Sequence, residues 1–378
     1  MVWSERNRGG ALKKALLVVY PEQYIIEEAK ALAEAAGYEP ADIISQKYLS
    51  RAKFGIGSGK AEEAARIVRE NHLDAVVFDA RLSGSQTYNL AKLCKVEVKD
   101  REKVILEIFA MRASTAEAKL QVQLAELNYE LPRAKDKVRM AKKGEQPGFF
   151  GLGKYEVDVY VRMMKDRVGT LRKKVDEVRN RRVIFRQHRA RMGMPGMAIT
   201  GYTGSGKTTL FNSLAGESKD VGVGVFTTLS PTTRGIMVDH TKLLISDTVG
   251  FISRLPTYMI EAFKSTLEEV SYSNLVLLLV DASEPEEKLV RNFESCTWTL
   301  SELGVPEGRT LVVMNKADLL TGEQLGEKAW RLGLKDPVAI SAKTGAGFEK
   351  LMGAIEERLG ASRQVATTTP DGGVNAPH

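Results

Sequence analysis

A chain of 378 residues exceeds one ordinary domain and points to two or three compact units. Its 43% hydrophobic and 27% charged residues sit near globular averages, which argues against a disordered or membrane-embedded chain. The net charge of +7 is unevenly placed: residues 133–191 hold 19 Lys and Arg against seven Asp and Glu, so that stretch carries +12 and the rest −5. Such a run is either a solvated helix face or a polyanion-binding surface.

Two cysteines, Cys94 and Cys296, cannot build a disulfide framework and fit a reducing compartment. Apolar runs such as 275–280 fall well short of the roughly 20 residues that span a bilayer, and no signal-peptide core precedes the first strand. A cytoplasmic protein is expected.

In chain order, 15–20 and 75–78 read as buried strands and 22–36 and 60–71 as helices, the rhythm of a small α/β unit with a parallel sheet. The run Gly55-Ile-Gly-Ser-Gly-Lys60 imitates a phosphate loop, but its spacing is wrong and Ala61 stands where a hydroxyl residue would be. It reads as a glycine turn before a helix, with phosphate or RNA-backbone contact as the alternative.

Beyond residue 100 the period changes. Val157, Val161, Met164, Val168, Leu171, Val175 and Val178 alternate steps of four and three, with Phe185 back in phase, which is a heptad seam. Leu120, Leu124, Leu127 and Leu131 step likewise, so two long helices should pack antiparallel around the connection 132–154. That connection is basic and glycine-rich, and loops of this length are usually functional or disordered. It is a candidate contact arm or a plain spacer.

From 194 to 359 strands (197–200, 243–246, 275–280, 310–314, 337–340) alternate with helices. The tail 361–378 lacks periodicity and reads as disordered. The expected fold class is therefore α/β: a doubly wound sheet of P-loop type over 194–360 (a G domain, if the motifs below hold), preceded by a small α/β domain over 1–100 and an antiparallel two-helix linker over 101–193.

The segment Gly201-Tyr202-Thr203-Gly204-Ser205-Gly206-Lys207-Thr208, followed by Thr209, matches G-x-x-x-x-G-K-[ST] between a strand and a helix. Glycines let the backbone wrap a phosphate, N–H groups and the helix start offer positive potential, and Lys207 reaches the β and γ oxygens. Thr208 offers its hydroxyl to Mg²⁺.

This loop alone leaves the base undecided. Asn315-Lys316-Ala317-Asp318 follows a strand, and the Asp318 carboxylate can accept from both guanine N1 and N2, a donor pattern adenine lacks. Ser341-Ala342-Lys343 adds a backbone N–H for guanine O6. Between these motifs, Asp247-Thr248-Val249-Gly250 reads as the Mg²⁺- and γ-phosphate-sensing segment. The polar, hydroxyl-rich stretch 226–234, with Phe226, Thr227, Thr228, Leu229 and Ser230, reads as a loop in the first-switch position. Thr228 is assigned as the second hydroxyl ligand of Mg²⁺, with Thr227 the near alternative. The metal set is thus Thr208, Thr228 and Asp247, and Lys207, Gly250 and Thr228 carry the chemistry: GTP hydrolysis to GDP and phosphate.

Phe251 stands where Ras-like enzymes place a water-orienting glutamine. An apolar ring cannot orient water, so unaided hydrolysis should be slow. His72, His188 and His240 show no metal-ligand spacing.

These motifs, GYTGSGKTTLFN, FTTLSPTTR, DTVGFISRLP, NKAD and SAKTG, resemble those of the HflX GTPases. So do FGIGSGKAEE, FDARLSGSQTYNL and the segment from Asp100 to Arg133, and the likeness spans about residues 15–360. The resemblance implies a ribosome-associated GTPase that binds the large ribosomal subunit and its RNA near the peptidyl-transferase centre and, in bacteria, splits stalled ribosomes; a monomer is expected. It also implies that a hydrophobic residue at 251 is ordinary. One departure is the stretch from Phe149 to Asp158, where bacterial members carry a longer glycine-rich loop ending G-P-G-E. A rival reading is a nucleotide-switched module whose basic hairpin meets a protein or an acidic membrane surface.

Overall fold

The computed structural model describes residues 12–142, 154–191, 194–216, 225–226, 231–238 and 241–367. By their internal contacts the residues fall into two units, one of 1–178 with 256–263 and one of 179–255 with 264–378.

The first unit opens with β1 (Lys13–Val19), α1 (Gln23–Ala35), β2 (Tyr38–Ser45), α2 (Ser58–Glu70), β3 (Ala75–Phe78), α3 (Gly84–Cys94), β4 (Glu97–Asp100) and α4 (Arg101–Arg112). Its four strands are all parallel, in the order β2-β1-β3-β4. Helices cover both faces, so β1 and β3 read as unbroken apolar runs rather than alternating ones. Leu16, Val18, Val76 and Phe78 pack with Ala61, Ala64, Val68 and Leu90 of α2 and α3, and each fully buried large side chain contributes roughly 1.5–3 kcal/mol. The strands β2 and β4 had no strong sequence signal: Tyr38–Ser45 is only partly buried and Glu97–Asp100 is short and charged.

Two long helices follow, α5 (Ala116–Lys142) and α6 (Lys154–Arg191). Leu124 of α5 is buried with Leu171 and Val175 of α6, flanked by Leu120, Leu127 and Val168, which are members of the two heptad rows. The side chains of Val157 and Phe185, and the glycine-rich segment 143–153, lie outside the described residues.

A buried ionic cluster ties α5 to the end of β4. Asp100 accepts from the Lys103 N–H (2.9 Å), starting α4, and from Tyr129 Oη (3.0 Å), and it pairs with the Arg133 guanidinium. Arg133 also donates to the Leu82 carbonyl (2.7 Å). The residues 256–263 complete this unit: Tyr258 Oη donates to Glu102 (3.0 Å), and the Phe263 ring meets Phe109 edge-on at 4.5 Å. Burial holds the Glu102 carboxyl above its ordinary range, partly countered by Arg81.

The second unit contains β5 (Gly196–Gly201), α7 (Lys207–Ala215), β6 (Thr232–Val238) and β7 (Thr241–Asp247). After the short α8 (Thr257–Ala262), which falls in the first unit, come α9 (Lys264–Tyr272), β8 (Leu275–Asp281), α10 (Glu286–Glu302), β9 (Thr310–Asn315), α11 (Gly322–Arg331), β10 (Val338–Ala339) and α12 (Phe348–Thr367). Six strands run β10-β9-β8-β5-β7-β6, all parallel except β6, which pairs antiparallel with β7. The C-terminal ends of β5, β7, β8, β9 and β10 therefore share one edge, where α/β folds place ligands.

Two expectations change. The 226–234 stretch is not all loop, because Thr232, Thr233 and Arg234 pair with Asp247, Ser246 and Ile245 in β6. Nor does structure stop at Gly360: α12 continues to Thr367 through helix-tolerant residues such as Ala361, Arg363 and Gln364. Residues 368–378 lie outside the described set. Among the described residues, no helix is long and apolar enough to cross a membrane.

Candidate active site

The loop from Gly201 to Lys207 closes β5 and opens α7. Two of its glycines are dictated by neighbours. A Cβ on Gly201 would run into the Leu279 carbonyl, and one on Gly206 into the Asn315 side-chain amide, and both have positive φ (+145° and +93°). No L side chain fits either place without displacing backbone or clamp.

Asn315 is that clamp. Its Nδ2 donates to the Ser205 carbonyl (2.7 Å) and its Oδ1 accepts from the Ala342 N–H (2.9 Å), binding the phosphate-type loop, the end of β9 and the 341–343 turn together. Ser341 is fully buried, and its N–H donates to the Ala346 carbonyl (2.9 Å). Of this turn's donors, the Ser341 and Ala342 N–H groups are thus engaged inside the protein. Lys316 adopts the left-handed region (φ 63°), and Asp318 lies exposed beyond it.

Lys207 is buried, and its Nζ donates to the Tyr202 carbonyl (2.7 Å). Burial lowers its pKa to about 8, against the opposing pull of Asp247, so an arriving phosphate would restore a partner that favours the ammonium. Thr208 Oγ1 donates to Asp247 Oδ2 (3.1 Å). These are two hard oxygen donors side by side, the chemistry that suits a small divalent cation. Thr227, Thr228, Leu229 and Ser230 lie outside the described residues; Phe226 beside them is buried, with φ 54°.

The stretch after β7 is stitched to the loop. Phe251 N–H donates to the Gly201 carbonyl and Thr203 N–H to the Phe251 carbonyl (both 2.9 Å), and Ser253 N–H donates to Tyr202 Oη (2.8 Å). Gly250 lies so close that a Cβ there would meet Lys207 Nζ at 2.9 Å and Thr203 Cγ2 at 3.0 Å. Thr248 Oγ1 donates to the Ile199 carbonyl (2.7 Å), fixing the segment to β5. The Phe251 ring is 2% exposed: it is a core residue.

Sequence reasoning missed Asp281, which ends β8 in register with Asn315 and forms an ion pair with Lys316. The available signal was an acid closing the apolar run LVLLLV.

A glycine loop between a strand and a helix, a threonine–aspartate pair at its mouth and an asparagine clamp before an exposed aspartate define a P-loop GTPase. Family models agree along the chain: "GTP-binding GTPase N-terminal" over residues 23–110, "GTP-binding GTPase Middle Region" over 112–189 and "50S ribosome-binding GTPase" over 196–316. The GTPase HflX of Methanocaldococcus jannaschii is 43% identical over 89% of this chain and 83% of its own length, and that of Escherichia coli 35% identical over 91% and 80%. The crystal structure described as "SsGBP and GDP complex" superposes with a TM-score of 0.53 at 29% identity, covering 93% of this chain and 99% of that one. The chain belongs to the HflX family of GTPases and hydrolyses GTP.

Proposed function

We propose that this GTPase is a nucleotide-switched factor of the large ribosomal subunit, with residues 201–209, 226–230, 247–250, 315–318 and 341–343 as its GTP site. The observation that carries the switch is Gly250. Its backbone lies against Lys207 and Thr203, so a group arriving at the Lys207 ammonium has to be accommodated by the segment that contains Gly250. Asp318 would read the base, Lys207 would hold the phosphates, and Thr208, Asp247 and Thr228 would hold Mg²⁺. Mg²⁺, when bound, neutralises charge on the β- and γ-phosphate oxygens.

Ribosome association is supported by the 50S-binding description of the matching family model and by the basic stretch 133–191. Along α6, Arg162, Lys165, Arg167, Arg172, Lys173 and Lys174 are exposed, a surface suited to nucleic-acid phosphates. The working division is an N-terminal domain (1–100), a linker (101–193) and a G domain (194–360, of which α8 packs into the first unit), acting in the cytoplasm as a monomer. Splitting of stalled ribosomes rests on the family resemblance alone.

Sucrose-gradient sedimentation with purified ribosomes tests this reading. Co-migration with the large subunit should require a non-hydrolysable GTP analogue and weaken steeply with salt, and Lys142→Glu with Lys143→Glu should reduce it while GTP binding persists. Splitting would appear as 70S loss with matching subunit gain. Salt-insensitive association, or flotation with anionic liposomes in place of ribosome binding, would overturn it.

A further inference from the structure

The motif read as guanine-binding contains a lysine whose side chain is engaged by a neighbouring strand end. Lys316 Nζ pairs with Asp281, the last residue of β8. The carboxylate is 10% exposed in its side chain, and the lysine 35%. Asp281 is itself oriented: its Oδ1 accepts from the Ser283 N–H (3.0 Å) and the Ser283 hydroxyl (2.6 Å), leaving Oδ2 for Lys316. The 282–284 turn that presents Ser283 is in turn held by Lys328 of α11, which donates to the Ala282 carbonyl (2.6 Å) and the Glu284 carbonyl (2.8 Å). The Ala282 N–H donates back to the Asn315 carbonyl (2.9 Å). The strand ends carrying the anchor and the motif are thus bolted together.

We propose that Asp281 is a positioning residue for guanine-nucleotide affinity: it holds the Lys316 side chain in one orientation beside the base pocket. The inference rests on reading Asn315–Asp318 as that pocket. The physical reason is preorganisation. A lysine has four side-chain torsions, and one left loose has to be ordered when the nucleotide binds, at the expense of affinity. The left-handed backbone at Lys316 fixes where its side chain starts, and Asp281 fixes where it ends. Ser283 prevents the carboxylate from rotating away.

Asp281→Asn is the test, because an asparagine can still accept from Ser283 while facing the ammonium without charge. Affinity for a fluorescent GDP should fall about three- to tenfold, the size of immobilising one lysine side chain on binding, mainly through faster release. Lys316→Ala should give a similar loss. The double variant should lose no more than Lys316→Ala alone, since an anchor without its lysine has nothing left to position. Thermal unfolding reports whether Asp281→Asn stays folded; should it not, Ser283→Ala loosens the same carboxylate with less disturbance and should give a smaller loss that also vanishes in the Lys316→Ala background. Additive losses would assign Asp281 a merely structural role and overturn the proposal, as would unchanged affinity in Asp281→Asn. Asp318→Ala is measured in parallel. If it leaves GDP affinity intact, the base-pocket reading itself fails; if it collapses affinity while Asp281→Asn does nothing, only the anchor fails.

Discussion

Two loops in this molecule are spelled almost alike and have different environments. Gly55-Ile-Gly-Ser-Gly-Lys60 runs into the first turn of α2 in the first unit, and Gly201 to Lys207 runs into the start of α7 in the second. A Cβ at Gly55 would strike Leu82 (2.6 Å) and Phe78 (2.7 Å), both core side chains, whereas one at Gly201 or Gly206 would strike a backbone carbonyl or the Asn315 clamp. The Lys60 side chain is 41% exposed and pairs with Glu63 at 3.2 Å, while Lys207 is buried and satisfied by a carbonyl of its own loop. Gly55 makes room for hydrocarbon, whereas Gly201 makes room for a backbone carbonyl and Gly206 for a side-chain amide. What separates the packing turn at Gly55 from the candidate phosphate loop is the polarity of what the missing Cβ would have touched.

The comparison breaks most sharply at the lysines. Lys207→Ala should remove the charge facing the phosphates and cost about 2–4 kcal/mol of GTP binding, a loss of roughly 30- to 1,000-fold, with hydrolysis abolished. Lys60→Ala should leave both untouched, because an exposed pair contributes little. Equilibrium binding of a fluorescent GTP analogue decides it, and nucleotide loss in the Lys60 variant would mean the first loop had been misread.

The glycines sharpen it. Gly206→Ala should cost about 2–4 kcal/mol through a strained φ and a displaced Asn315, and guanine affinity should fall with it. Gly55→Ala should lower thermal stability by about 1–3 kcal/mol by pushing on Phe78 and Leu82, with nucleotide affinity retained in the protein that remains folded. Melting curves taken with and without GDP separate the two, since bound ligand stabilises only a competent site.

Phe251 gives a smaller kinetic effect. Phe251→Gln buries an amide in place of a ring, so stability should drop by about 2–4 kcal/mol, yet turnover should change less than about tenfold from a basal rate near ~10⁻⁴ to 10⁻² s⁻¹. A 100-fold gain in single-turnover assays would show that the site lacked only a polar side chain.

The smallest effect concerns the thiols. Burial pushes Cys94 up to about 11 and Cys296 up to about 12. Because the unfolded chain releases these protons near its ordinary value of 9.0, their contribution is intact below pH 9 and declines as pH rises toward 11–12. At pH 8 a disulfide exchange reagent should label neither thiol in the native chain and both after denaturation; rapid native labelling would contradict the burial.

Most of the second unit's candidate site could be proposed from the sequence because each part is a local string with a local cause. The glycine spacing, Lys207-Thr208, Asp247 to Gly250 and Asn315 to Asp318 all sit at strand ends that the apolar runs announce. What escaped depends on distant partners. Nothing in the residues around Phe251 says that its ring is core, since that follows from the backbone pairing of 251 with Gly201 and Thr203. Asp281 looked like an ordinary end to β8 until Lys316 met it. β6 was hidden because Thr232 and Thr233 read as switch hydroxyls, while β7 supplied their backbone partners.

The short run 256–263 has a consequence for anyone who would take this protein apart. The chain passes from one unit to the other after Val178, returns after Leu255 and departs again after Phe263. No single cut can therefore yield both units whole. A fragment ending near residue 192 would keep Glu102 and Phe109 but lose Tyr258 and Phe263, the side chains that cover them, and it would display a raw apolar face to water. The complementary fragment would carry α8 with its buried residues Met259, Ile260 and Ala262 and nowhere to put them. Dissection by truncation would measure those wounds along with the function, and a faithful separation needs α8 fused back onto the first fragment.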